Sequence, residues 1–158
     1  MKKSLLGLML IAGGGIWGQR YVTEVFSNVD VTTDVEYAVN IDFLTSDFSN
    51  QAQVGADLTA IKTAAAMGQP IPSKYYSPAD TTTDVKVTSL KMDIYKPAGD
   101  TVTNRPVVIY LHTGNFLPPA VNGSINGSRK DSSAIVACRK LAQRGYVAIS
   151  ASYRLGWN

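Results

Sequence analysis

The residues best placed to do chemistry form one short run, His112-Thr113-Gly114-Asn115-Phe116. It holds the chain's single histidine and follows five uncharged apolar residues, Val107 to Leu111. That apolar run shows no alternation, is rich in β-branched side chains, and is bounded by Pro106 and Gly114. It reads as a strand buried on both faces. The turn behind it then lies at the carboxyl end of a strand, the edge where open α/β sheets place their ligands. Other candidates are weaker. Cys138 falls mid-helix among apolar neighbours with no histidine close in sequence, which marks a core thiol and not a nucleophile. As the lone cysteine it excludes a disulfide framework and a cysteine-based zinc site within the chain. Gly13-Gly14-Gly15 has no strand before it and no Lys-Ser/Thr after it, so it is no phosphate loop, and no G-x-G-x-x-G follows any strand. No cofactor and no metal are expected.

Several elements must hold that turn in place. Val85 to Lys96 alternates cleanly, with Leu90, Met92 and Ile94 on one side and Lys91, Asp93 and Tyr95 on the other, and ends in the turn Pro97-Ala98-Gly99-Asp100. After the apolar strand comes a polar loop, Leu117 to Lys130. Asp131 then serves as N-cap of a helix reaching Arg144, with Gly145 as its stop. Ala134, Ile135, Cys138, Leu141 and Ala142 form the helix's apolar stripe. Tyr146 to Ala151 is a second buried strand. Strand, helix, strand makes a βαβ unit, expected to be parallel and right-handed. Upstream, Tyr21 to Phe26 and Val29 to Ile41 read as strands solvated on one face, with Asn28 and Asp34 as turn candidates. Residues 46–83 differ in character. An alanine-rich helix, Gly55 to Met67, presents Leu58, Ile61 and Ala65 on one face and stops at Gly68, and a proline-rich loop follows. We read this segment as an insertion between two strands of one sheet. The fold class expected is α/β, with antiparallel leading strands feeding a parallel βαβ unit.

At 158 residues, 17% charged and 45% hydrophobic, the chain has the composition of one globular domain. Its formal charge of +3 includes Lys2 and Lys3 of a leader; without those two it is +1. No basic cluster beyond Arg129-Lys130 remains, which argues against nucleic acid as a partner. Residues 1–19 have the form of a signal peptide: two lysines, an apolar run from Leu5 to Ile16, and a cleavage site near Gly18-Gln19. The run is shorter than the ~20 residues a bilayer span needs. The expectation is a secreted or periplasmic protein without a stable membrane anchor, its domain spanning 20–158.

The strings L-K-M-D-I-Y-K-P, R-P-V-V-I-Y-L-H-T-G-N-F and A-x-R-G-Y-V-A-I-S-A-S-Y-R-L, in that order, resemble the amino-terminal part of an α/β-hydrolase. The nearest branch is the secreted carboxylesterase and lipase-like one with an H-G-G-G-F type oxyanion loop. The resemblance covers Val85 to Asn158 and, more loosely, Tyr21 to Thr45. It implies that His112, Thr113, Gly114 and Asn115 align with H-G-G-G, and that Gly114 and Asn115 supply backbone N–H donors to an oxyanion hole. Thr113 and Asn115 replace two of the family's glycines. His112 is then a scaffold residue that shapes the loop and not the catalytic base, Phe116 a wall or core aromatic, and Arg154 a structural ion-pair residue. Asn122-Gly-Ser124 and Asn126-Gly-Ser128 fit the glycosylation pattern but are read as turn residues.

One absence qualifies this. No G-x-S-x-G occurs, and in this fold Ser, Asp or Glu, and His follow in that order beyond the strand at which the sequence stops. The expectation is the front portion of an exported serine hydrolase acting on a small carboxylic ester. It would supply the oxyanion loop but neither the nucleophile elbow nor the triad, and so be inactive alone. The alternative is a non-catalytic secreted binding or assembly module that keeps this part of the fold.

Overall fold

The structure is a computed structural model that describes residues 20–114, 116–117 and 127–155. Valines and threonines extend Val29–Ile41 into the first strand, β1. Helix α1, Gln51–Ala66, follows, its amino end capped by Asn50, whose side chain accepts from the Gln53 N–H. A single 3₁₀ turn, Ser73–Tyr76, leads to β2, Val87–Pro97. Then come β3, Val107–Leu111, helix α2, Ser132–Gln143, and β4, Val147–Ala151.

The strands form one mixed sheet in the order β1-β2-β4-β3. β2 runs antiparallel to both β1 and β4, and β3 and β4 are parallel with Leu111 beside Ala151. With two helices this is an α/β arrangement: antiparallel leading strands, then a parallel βαβ unit built from β3, α2 and β4. The segment 46–83 lies in sequence between β1 and β2, which pair directly in the sheet. A buried carboxylate fastens it there. Asp57 of α1 accepts from the N–H groups of Asp84 and Val85, from Gln53 Nε2 and from the Tyr75 hydroxyl, at 2.7, 3.0, 2.9 and 3.4 Å. The face of α1 that is covered is therefore centred on Val54 and Asp57, and Ala65, assigned to that face from its spacing, is exposed.

The core lies on one side of the sheet. Ala134, Cys138 and Ala142 of α2 are buried, and Cys138 and Ala142 cluster with Tyr95 and Ala148. Three expectations change here. Residues 21–26 are not a strand. Tyr21 donates its N–H to Arg144 O, and Val25 and Phe26 donate theirs to Gln143 O, at 2.7, 2.9 and 2.9 Å. Those carbonyls end α2 and have no partner within the helix, so the segment caps a helix instead of joining the sheet. Arg20 at its start is tied to Asp100, which also accepts from Arg105 Nε at 2.8 Å.

β3 is the second correction. It is not buried on both faces: Val107, Ile109 and Leu111 are 56%, 62% and 47% exposed. α2 covers only the face that carries Val108 and Tyr110, and β3 stands at the rim of the sheet. Asp34, read as a turn residue, is instead a kink within β1, with φ 58° where the register with β2 slips.

Candidate functional site

Parallel pairing of β3 with β4 sets the site's geometry. Because Leu111 lies beside Ala151, the residues that leave β3, His112 to Gly114, run alongside Ser152 and Tyr153 leaving β4. Both segments emerge at the carboxyl ends of their strands. The Tyr153 hydroxyl donates to His112 O at 2.9 Å and lies 3.3 Å from Thr113 O. Its ring stacks on the His112 imidazole, 4.3 Å between centroids and 17° between planes, and Phe116 leans on it at 4.5 Å. Burial raises the Tyr153 phenol above its ordinary pKa, partly offset by a hydrogen bond with the Phe116 backbone. It therefore stays a hydroxyl and a donor at neutral pH.

The loop is clasped from its other side by the segment leading into α2. Gly127 N–H donates to Thr113 O at 3.1 Å, and a Cβ at Gly127 would lie 2.6 Å from Thr113 Oγ1. A glycine is needed there because any side chain would push the loop away. The following residues are anchored to the sheet. Ser150 Oγ donates to Arg129 O at 2.8 Å, and Arg129 pairs with Asp34 and with the buried Asp93. Asp131 stands at the amino end of α2 as expected, but its carboxylate turns back to accept from Ser128 N–H at 2.8 Å and Ser128 Oγ at 3.0 Å. It locks the turn before the helix and makes no cap bond.

Within the loop, His112 Nδ1 donates to Thr113 O at 2.8 Å. A carbonyl brings no proton, so Nδ1 carries the hydrogen and the ring is engaged with its own backbone. Gly114 is buried at φ 138°, a region L side chains rarely adopt, and Gly114 O accepts from Leu117 N–H at 2.9 Å to close a turn. Phe116 holds φ 59° and is 56% exposed. A bulky residue in the left-handed region is a genuine outlier and needs surrounding contacts to hold it; here Tyr153 provides one. Asn115, the second expected donor, lies outside the described residues, as do Asn122, Ser124 and Asn126.

Beside the loop, an open cleft of about 220 Å³ separates the end of β1 and start of β2 from the segment after β4. Ile41, Leu44, Leu90 and Leu155 give it apolar walls, Thr88 and Ser152 add hydroxyls, and Tyr153 borders it. The Arg154 guanidinium lies 4.6 Å from the centre of the Phe43 ring at the same end. Cys138 is far from this chemistry in character: fully buried, its thiol is pushed up to about 11 by desolvation. Among the described residues no group of His, Cys, Asp and Glu is disposed to hold a metal ion, and no helix is long and apolar enough to cross a membrane.

Sequence reasoning named His112, Thr113, Gly114 and Phe116, and the structure gathers these four at one sheet edge. It missed Tyr153 and Gly127. The signal for Tyr153 was present in the spacing, because a parallel pair puts the two residues after each strand side by side. No family model, no curated protein and no solved structure matches the chain.

Proposed function

We propose that the chain is the front portion of an exported serine hydrolase acting on small carboxylic esters, and that the His112–Phe116 loop is its half of an oxyanion hole. One observation carries the reading. A loop with a buried, positive-φ glycine leaves the carboxyl end of a parallel strand and is clamped on both sides, by Tyr153 and by Gly127. Attack on an ester carbonyl moves negative charge onto its oxygen. Backbone N–H groups fixed in advance around that oxygen stabilise the charge without reorganising, and losing one such donor costs on the order of 3 kcal/mol. Gly114 and Asn115 are the residues whose N–H groups would serve, and the cleft bordered by Tyr153 gives room for one arm of the substrate. The reading needs no cofactor. Export is supported by Lys2, Lys3 and the apolar run from Leu5 to Ile16.

A serine, its histidine base and an acid must be supplied by residues following those gathered here, since His112 is committed to the loop. Among the described residues nothing pairs with the outer edge of β3, where a further parallel strand would bring them. The test is the coding sequence past Asn158. The expected result is an in-frame strand followed by G-x-S-x-G, with later Asp or Glu and His. The extended chain should hydrolyse a p-nitrophenyl ester and lose that activity when the new serine is changed to alanine. A stop codon with no such sequence after it, or an extended chain inert towards esters, refutes the enzyme and leaves a binding module.

A further inference from the structure

The two rims of the sheet are built differently. β1 carries Asp30, Asp34 and Glu36, and its pairing slips twice, between Thr32 and Val35 and between Glu36 and Ala38. Charges and bulges are the devices by which proteins stop an edge strand from accepting another. β3 has none of them. Val107 to Leu111 is uncharged, regular and free of proline, and among the described residues nothing pairs with its outer side.

The hydrogen-bond parity of that edge can be read off. Val147 N–H donates to Pro106 O at 3.1 Å. In a parallel ladder alternate residues use both backbone groups toward the same neighbour. Pro106, Val108 and Tyr110 therefore face β4, while Val107, Ile109 and Leu111 turn their N–H and C=O groups outward. The side chains of the same three residues stand on the sheet face that α2 leaves uncovered, continuous with Met92, Ile149 and Ala151.

We infer that in the 158-residue chain this edge binds a second copy of itself, β3 against β3 antiparallel about a two-fold axis at Ile109. That register opposes Ile109 to Ile109 and Val107 to Leu111 of the partner subunit. Every outward-facing residue then falls in a hydrogen-bonded pair, about six bonds in all. The apolar side chains meet directly across the strands on one face. Charge does not oppose this occupant. The dyad brings Arg105, which shares Asp100 with Arg20, opposite the partner's uncharged Thr113, so no like charges meet. The inference stands on the sheet edge alone and concerns the 158-residue chain; a further strand paired with β3, as the ester reading supposes, would take the same edge.

Sedimentation equilibrium of the full chain across a concentration series tests it, alongside amide exchange at high and low concentration. Dimers are expected, with the amides of Val107, Ile109 and Leu111 protected only when concentrated. Ile109→Pro removes an outward N–H that β4 does not use, so the sheet should survive, and dimerisation should weaken at least tenfold. Ile109→Lys, which keeps the backbone intact, should weaken it similarly and decides the matter where the proline variant does not fold. A chain that stays monomeric at 100 µM, or a dimer that folded Ile109 variants leave unchanged, overturns the proposal. Esterase activity enters none of these readings.

Discussion

Replacing Tyr153 by phenylalanine should loosen the His112–Phe116 loop without disturbing the sheet. The change deletes one hydroxyl, which donates to His112 O at 2.9 Å, and keeps the ring stacked on His112 and against Phe116. A neutral hydrogen bond of this kind contributes about 0.5–1.5 kcal/mol net. At 1.36 kcal/mol per factor of ten, the loop should open roughly two- to thirteenfold more often. Tyr153→Ala removes both ring contacts as well, each worth ~0.5–1.5 kcal/mol beyond its buried area. Its total of about 1.5–4.5 kcal/mol corresponds to an opening increase of roughly 13-fold or more. Native-state hydrogen exchange measures this directly. The amides of Leu117 and Gly127 are the reporters, because they donate to the loop carbonyls of Gly114 and Thr113. Amides in β2 serve as the internal standard. If the two reporters accelerate no more than β2 in either variant, Tyr153 does not hold the loop and the positioning argument fails.

Two further predictions concern what holds the site's platform together. Asp57→Ala strands four donors, two of them on buried residues, Tyr75 and Val85. It should cost about 3–5 kcal/mol, lowering Tm by about 10 °C in a domain of this size; a drop under ~3 °C by calorimetry contradicts the clamp. Acid should destabilise the fold through two aspartates. Hydrogen bonding to Arg20 and Arg105 holds the buried Asp100 carboxyl far below its ordinary value of 3.8. Burial alone would raise Asp57, yet its bonds to Val85, Asp84, Gln53 and Tyr75 leave it lowered. Both groups bind protons more weakly folded than unfolded, so their contribution is complete above the unfolded value and fades as pH falls below about 4. Urea midpoints should fall between pH 5 and 3, and Asp100→Asn should flatten that dependence; an equal slope in the variant removes Asp100 from the account.

The order strand, helix, strand was legible because local signals agree with the tertiary outcome: an apolar run, an amphipathic stripe at 3.6 spacing, and Gly145 at φ 102° to end the helix. What stayed hidden was settled by long-range partners. Alternation in β2 sets Leu90, Met92 and Ile94 apart from Lys91, Asp93 and Tyr95, yet burial does not follow it: Leu90, Asp93 and Tyr95 are buried, while Met92 and Ile94 are only half-buried. Asp93 tolerates this because Asp34 N–H and Arg129 satisfy it, from 59 and 36 residues away in sequence. Residues 21–26 have strand-like composition, but their N–H groups go to the end of α2. Composition cannot report which orphan carbonyls lie within reach. The unbroken apolar run of β3 fits a strand covered on both faces; that it stands at a rim depends on what lies beside it.

Two proposals bear on the same strand, and they are related. β3 ends in the loop proposed to steady a negative charge, and among the described residues there His112 is turned into its own backbone. Among the described residues nothing pairs with β3's outer edge, and three of its apolar side chains are exposed on the uncovered face of the sheet. A strand laid parallel on that side would end next to Gly114, and a nucleophile at its carboxyl end would meet the loop. Chemistry and sheet would thus be completed by one addition. An antiparallel second copy would satisfy only the edge, because it brings its amino end, with Arg105, beside Thr113 and carries its own loop to the opposite end of the strand. On the two proposals, dimerisation and catalysis would therefore be alternative uses of the same rim. A strand that follows in the coding sequence should abolish the dimer at the moment it creates the enzyme.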